Sequence, residues 1–121
     1  MNFISVGLGG AIGAMLRYAI SLIPYKGNFP ILTLITNLAG AIAIGFIAGY
    51  ASKKNLPSNA ILFLKTGVCG GFTTFSTFSL EAYQLFCSGQ VWSGGIYVVL
   101  SVVVCLIGVL LGMFLAQLIS R

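Results

Sequence analysis

From Trp92 to Ile119 the chain carries no charged residue. A helix that crosses a bilayer needs about 20 mostly apolar residues at a rise of about 1.5 Å each, so this run is long enough to span. Its backbone has to satisfy its own hydrogen bonds in lipid, which leaves a helix as the form available to it. Two further runs read the same way. One extends from Phe3 to about Ile23 and stops before Pro24, and the other extends from Ile31 to about Ala51. A third region, Ser58 to about Cys87, is longer still and ends at Ser88-Gly89-Gln90. The connector Pro24–Pro30 holds Lys26, Gly27 and Asn28, and Ser52-Lys53-Lys54-Asn55-Leu56-Pro57 supplies the second turn, both of loop composition.

Composition closes off the soluble alternatives. The chain has 121 residues, of which 59% are hydrophobic and 6% charged, with a mean hydropathy of +1.09. Such a chain cannot coat a soluble globule with ionic groups. The reading is an all-α integral membrane protein with one domain, residues 1–121, and spans at about 3–23, 31–51, 58–87 and 92–119. Its net charge of +5 comes from six Lys/Arg against one carboxylate, Glu81. Those cations are dispersed among apolar runs, which argues against nucleic acid as a partner. Histidine is absent, so the commonest general base and metal ligand is missing. Cys69, Cys87 and Cys105 lie far apart in apolar segments and read as small hydrophobes. With no carboxylate pair, metal cluster or phosphate loop, the chain is not expected to be an enzyme. The N-terminus begins Met-Asn-Phe-Ile-Ser without a basic region, and its apolar run is too long for a signal peptide, so it reads as the first span.

Helix faces add more than helix ends. Small residues recur every four positions: Gly9 and Gly13; Ala41, Gly45 and Gly49; Gly108, Gly112 and Ala116. Stripes of this kind let helix backbones approach closely where lipid removes the hydrophobic drive, and they predict a compact, self-associating bundle. Trp92 and Tyr50 suit the membrane interface.

Residues 70–79 read Gly-Gly-Phe-Thr-Thr-Phe-Ser-Thr-Phe-Ser within the third apolar region. Paired glycines weaken a helix, and irregular backbone at membrane depth is tolerated only inside protein or along an aqueous path. A helix broken here, with hydroxyls interleaved with Phe72, Phe75 and Phe78, is a candidate ion site. Three other polar residues fall within spans. Arg17 follows Gly13 by one turn, and either lines a water-filled vestibule, where its sign favours an anion, or snorkels to the headgroups. Asn37, one turn after Thr33, either donates into an ion path or makes an interhelical hydrogen bond. Glu81 reads equally as proton carrier, hydrogen-bond acceptor or interfacial residue.

Three segments together resemble one family, the Fluc fluoride channels, also called the CrcB family. They are Gly9-Gly-Ala-Ile-Gly-Ala-Met-Leu-Arg17-Tyr18, Thr33-Leu-Ile-Thr-Asn37-Leu-Ala-Gly40, and Gly67-Val-Cys-Gly-Gly-Phe-Thr-Thr-Phe-Ser-Thr-Phe78. The third is the most specific, and the likeness covers essentially the whole chain. It implies a fluoride-selective channel that passively exports fluoride across the cell inner membrane or plasma membrane, lowering cytoplasmic fluoride and its toxicity. It implies an antiparallel, dual-topology homodimer with two pores, whose third helices break at mid-membrane. There a structural sodium ion is held at the dimer interface by backbone carbonyls at positions matching Gly70 and Thr73. The pore phenylalanines match Phe75 and Phe78, the pore asparagine Asn37 and the vestibule arginine Arg17. Tyr97 and Ser101 fit pore-lining positions, and a serine common one turn further on stands here as Cys105. Hydroxyls of Thr33, Ser76 and Thr77 are the further donors with which this chain can replace the water around fluoride.

Two other readings stand beside this one. A small proton-coupled multidrug exporter is also a four-span dual-topology dimer, but it usually needs a carboxylate inside the first span, and this chain has none there. A scaffolding membrane protein leaves the donors of the third region without purpose. Orientation is weakly encoded: with a cytoplasmic N-terminus, Lys53, Lys54 and Arg121 lie inside, against Lys26 outside and Arg17 near that end. This asymmetry is small beside the bias that usually sets topology. Both orientations are therefore expected in one membrane. Accessibility labelling at Lys26 and at the C-terminus should report each site from both sides, and one-sided labelling would exclude dual topology.

Overall fold

The computed structural model describes residues 1–121, all of them. The chain is helical throughout and has no strand. Helix α1 is Asn2–Ser21, α2 is Ile31–Lys53 and α5 is Val91–Ile119. These three are long and apolar enough to cross a membrane. Between α2 and α5 the chain forms two shorter helices. The first, α3, runs continuously through Ser58–Ile61, a π-helical stretch Leu62–Cys69 and a last turn Gly70–Phe72. The second, α4, is Phe75–Cys87.

Between them, Thr73 and Thr74 are extended, with ψ of 158° and 118°. The helix therefore stops after the glycine pair instead of at it. Gly70 and Gly71 are themselves helical. Gly71 has a packing reason to lack a side chain, since a Cβ there would sit 3.0 Å from the Cα of Gly10 on α1. What ends α3 is the loss of its next amide: Thr74 N–H is drawn to the side chain of Asn37 on α2, at 2.8 Å. Thr74 then serves as the N-cap of α4, accepting from Thr77 N–H at 3.1 Å. Threonine in that position satisfies one of the free amides that every helix start exposes.

Two glycine-lined seams hold the bundle. Along the first, α1 lies against α3, with Gly9 facing Gly67, Gly10 facing Gly71, and Gly13 facing Val68 and Phe72. Along the second, α2 lies against α5, with Gly45 on Val109, Gly49 on Met113 and Ala116, and Gly112 on Ile42 and Phe46. The small-residue stripes read from the sequence are thus occupied within the chain. Dispersion between close backbones replaces hydrophobic drive along these seams. The outer faces of α1, α2 and α5 are largely unburied and apolar, as surfaces facing lipid are. Helix α4 leans on α5 and closes a small core of Phe78, Leu85 and Tyr97, with Phe29 and Val98 against it. Phe72 ends α3 while Phe75 begins α4, so the phenylalanine series is split across the break and does not form one helical stripe.

Gly112 offers the clearest test of the second seam. A Cβ there would fall 2.6 Å from Phe46 N, in contact with backbone that cannot rotate away. Gly112→Ala is expected to lower stability by about 1–3 kcal/mol through overpacking. Gly95→Ala meets nothing within 4 Å on the same helix and is the control. Thermal unfolding of the two variants in detergent should separate them.

Candidate functional site

The polar residues singled out from the sequence gather around the Thr73–Thr74 break. Asn37 and Thr74 form a two-point pair: Asn37 Nδ2 donates to Thr74 O at 3.0 Å, and Thr74 N–H donates to Asn37 Oδ1 at 2.8 Å. The side-chain amide thereby takes the place of a neighbouring peptide group. One Nδ2 hydrogen remains free of this pair.

Two cavities share Thr74 in their linings. The first is lined by Arg17, Tyr18, Thr33, Thr36, Thr74, Thr77 and Glu81 among others, and has a volume of about 320 Å³. It opens near the end of α1 and is rich in hydroxyls. Arg17 is half-buried, and its Nε is buried with no hydrogen-bond partner. The second cavity, also about 320 Å³, is mostly apolar and lined by Asn37, Thr73, Thr74, Phe75, Phe78, Ser101 and Cys105 among others. Thr74, held by Asn37 from the chamber side, therefore stands between a hydroxyl-lined vestibule and an aromatic-lined chamber.

Glu81 stands at the wall of the first cavity with both carboxyl oxygens taken. Thr33 Oγ1 donates to Oε1 at 2.7 Å, and Tyr97 Oη donates to Oε2 at 2.7 Å. The only carboxyl side chain in the protein thus ties α2, α4 and α5 together through two hydroxyls. Of the three roles open to it in the sequence, hydrogen-bond acceptor is the one its contacts occupy. Tyr97 is fully buried, and its ring meets Phe78 edge-on, with centroids 5.2 Å apart at 86°. Phe75 and Phe78 are 5.5 Å apart and tilted at 50°. They differ sharply in environment: Phe78 is 8% exposed, whereas Phe75, a large aromatic, is 80% exposed. Ser101 is buried, and its hydroxyl has no partner.

Most of the residues marked in the sequence fall into two sets, but Tyr97, expected at a pore-lining position, lines neither cavity and is fully buried in the core with Phe78 and Leu85. Arg17, Thr33 and Thr77 share the vestibule, while Asn37, Phe75, Phe78 and Ser101 share the chamber. Ser76 lines neither cavity; it is exposed and lies 3.4 Å from Thr74 Oγ1. Thr36 was not singled out, and Thr74 only as one of the hydroxyls interleaved with the phenylalanines, yet Thr74 is the residue on which the site turns. Its sequence signal was the capping one, a threonine three residues before Thr77 at the start of a helix.

The break also bears on cation binding. In an uninterrupted helix the Gly70 carbonyl would accept from Thr74 N–H and the Thr73 carbonyl from Thr77 N–H. Both amides are diverted, one to Asn37 and the other to Thr74 Oγ1. Gly70 lies exposed on the surface and Thr73 is half-buried, so their carbonyls retain acceptor capacity. Oxygen donors of this kind suit a hard cation. No group of three His, Cys, Asp or Glu converges anywhere in the chain.

Asn37→Asp is a direct test of the Asn37–Thr74 pair. It keeps the size of the side chain but sets a carboxyl oxygen against Thr74 O in place of the Nδ2 donor. The loss of that bond to a part-buried carbonyl should cost about 1–3 kcal/mol. A lower unfolding temperature relative to the parent would mark Asn37 as the anchor of the break. An unchanged one would mean that Thr74 is held by other contacts.

Comparison with known proteins gives the family. The family model described as "CrcB-like protein, Camphor Resistance (CrcB)" matches residues 4–113. A protein named fluoride-specific ion channel FluC from Ruminiclostridium cellulolyticum is 46% identical, over 99% of this chain and 95% of its own length. Proteins of the same name from Roseobacter denitrificans and Desulfotalea psychrophila are 41% and 44% identical, over 96% and 97% of this chain and 95% and 93% of their own.

Proposed function

The chain belongs to the CrcB family, and from that premise and the site geometry we propose that it is a fluoride-specific ion channel. It is a multi-pass membrane protein that lets fluoride run down its gradient out of the cell across the plasma membrane, or the inner membrane where there are two. Its class is a channel, not an enzyme. The observation that carries the reading is the junction at Thr74, where a hydroxyl-lined vestibule meets an aromatic chamber beside a side-chain amide.

Fluoride is small and strongly hydrated, so a selective path has to replace its water with hydrogen-bond donors. Arg17 raises the local anion concentration at the vestibule without sitting in the narrow part. Thr33 and Thr36 already give their hydroxyl hydrogens to Glu81 and to Leu32 O, so the donors left are Thr77, which accepts from Thr74 Oγ1 and keeps its own hydrogen, and Asn37 with its free Nδ2 hydrogen. In the chamber, Phe75 and Phe78 present ring edges, which carry partial positive charge, and Ser101 presents an unpartnered hydroxyl. None of these chamber groups is a fixed charge, which keeps binding weak enough for exit. Glu81 is a positioning residue: by accepting from Thr33 and Tyr97 it sets the direction of both hydroxyls. Ser76, exposed beside Thr74, belongs to the donor set where a second subunit covers it.

The functional unit in this reading is an antiparallel, dual-topology homodimer in which residues 58–87 make a fourth crossing, broken at mid-membrane. The 80% exposure of Phe75 supports it, since a ring proposed to contact the ion needs a second surface to enclose it. The same surface carries Gly70, and the carbonyls of Gly70 and Thr73 from two copies would hold the structural sodium ion. When bound, that cation supplies positive charge and a crosslink between subunits at the break.

Phe75→Ile tests the ring edge, because it retains an apolar side chain but removes the aromatic hydrogens. Parent protein in liposomes is expected to release fluoride, read with an ion-selective electrode, and to release chloride far more slowly. The variant should lose about tenfold or more in fluoride efflux, the effect of one contact worth about 1.4 kcal/mol. Equal fluoride and chloride efflux from the parent would overturn fluoride selectivity, and unchanged efflux from Phe75→Ile would return Phe75 to a packing role.

A further inference from the structure

Cys105 differs in its surroundings from the other two thiols. Cys69 is buried, Cys87 is exposed at the end of α4, and neither lines the chamber. Cys105 is half-buried and lines it, in the company of Asn37, Thr74, Phe75 and Phe78. One helical turn before it, Ser101 faces the same chamber. Ser101 is 6% exposed, and its hydroxyl has no partner in the protein. A buried hydroxyl without a partner is costly, so its place is beside a polar occupant of the chamber. On a helix, residues four apart lie on one face, which puts the Cys105 thiol next to the space that this occupant uses.

We propose that Cys105 is a covalent inhibition site within the permeation path, modified by small neutral thiol electrophiles that reach it through the chamber. The proposal rests on the channel reading above and deepens it. The chamber, at about 320 Å³ and mostly apolar, suits a small neutral reagent. With methyl methanethiosulfonate as the reagent, Cys105 gives up its proton to water and the thiolate sulfur attacks the sulfenyl sulfur. The new S–S bond forms as the bond to the sulfonyl sulfur breaks, and methanesulfinate leaves with that electron pair. The product carries a methylthio group on Cys105, within the chamber that Ser101 and Phe78 also line. An apolar group there removes a donor from the ion's reach and narrows the chamber.

The experiment uses the full-length protein in liposomes, with Cys87→Ser as the background that removes the exposed thiol. Fluoride efflux is measured before and after treatment, each protein normalised to its own untreated value, and adducts are mapped by peptide mass. The expected result is a methylthio adduct on Cys105, a fall in efflux of about tenfold or more, and recovery after dithiothreitol. Adding Cys105→Ser to that background should abolish the sensitivity. A Cys105 adduct with unchanged efflux would overturn the proposal, and so would inhibition that persists without Cys105. Failure to modify Cys105 while the parent's Cys87 is labelled would overturn it as well, by showing that the chamber does not admit the reagent. Untreated protein that passes no fluoride would instead overturn the channel reading, and adduct mapping would still decide whether the thiol is reached.

Discussion

One amide makes this structure possible. By pairing with both the N–H and the C=O of Thr74, Asn37 stands in for the helical partners that Thr74 gives up. Without such a partner, the extended pair Thr73–Thr74 would leave buried peptide groups unpaired, which is costly. The break in turn diverts the amides that would have bonded Gly70 and Thr73, and it releases Thr74 to cap α4. Termination of one helix, initiation of the next and the placement of Thr74 between two cavities therefore share a single pair of hydrogen bonds.

The bundle around the break is rigid for a different reason. Its seams are glycine against glycine or glycine against backbone, so α1 and α3, and α2 and α5, have little side-chain slack between them. That closeness fixes where the cavity walls stand. It also explains how so small a chain surrounds space at all: large side chains face outward toward lipid, and the interior is set by backbone spacing. The Glu81 bridge completes the frame on the remaining side by linking α2, α4 and α5 through Thr33 and Tyr97.

The arrangement of charge suits transit better than tight binding. Arg17 lies in the vestibule lining and Glu81 at its wall with both oxygens engaged, while the chamber is lined by the Asn37 amide, the hydroxyl residues Thr73, Thr74 and Ser101, the Cys105 thiol and two phenyl rings, with no charged side chain. In the channel reading proposed above, an ion there would meet dipoles and ring quadrupoles instead of a full charge. In a medium of low dielectric constant a full charge would hold it strongly.

Much of this was legible in the residues alone. Uncharged runs and loop-like connectors dictated helices in lipid, since an apolar chain has no other way to satisfy its backbone there. Spacing of small residues marked the seams, and the mixture of hydroxyls and phenyls at 70–79 marked the site. Three things required the folded chain. Gly70-Gly71 looked like the breaking point, yet the break falls at Thr73–Thr74, because the partner that captures the amide lies on α2, far away in sequence. Glu81 had no ranking among its possible roles until Thr33 and Tyr97 were seen on its two oxygens. Phe72, Phe75 and Phe78 recur every three residues, yet the break leaves Phe75 exposed and Phe78 buried. Local pattern decides which residues can be helical and which can face lipid. Where a helix stops, and which polar atoms meet, is decided by contacts between segments that only tertiary packing brings within hydrogen-bonding distance.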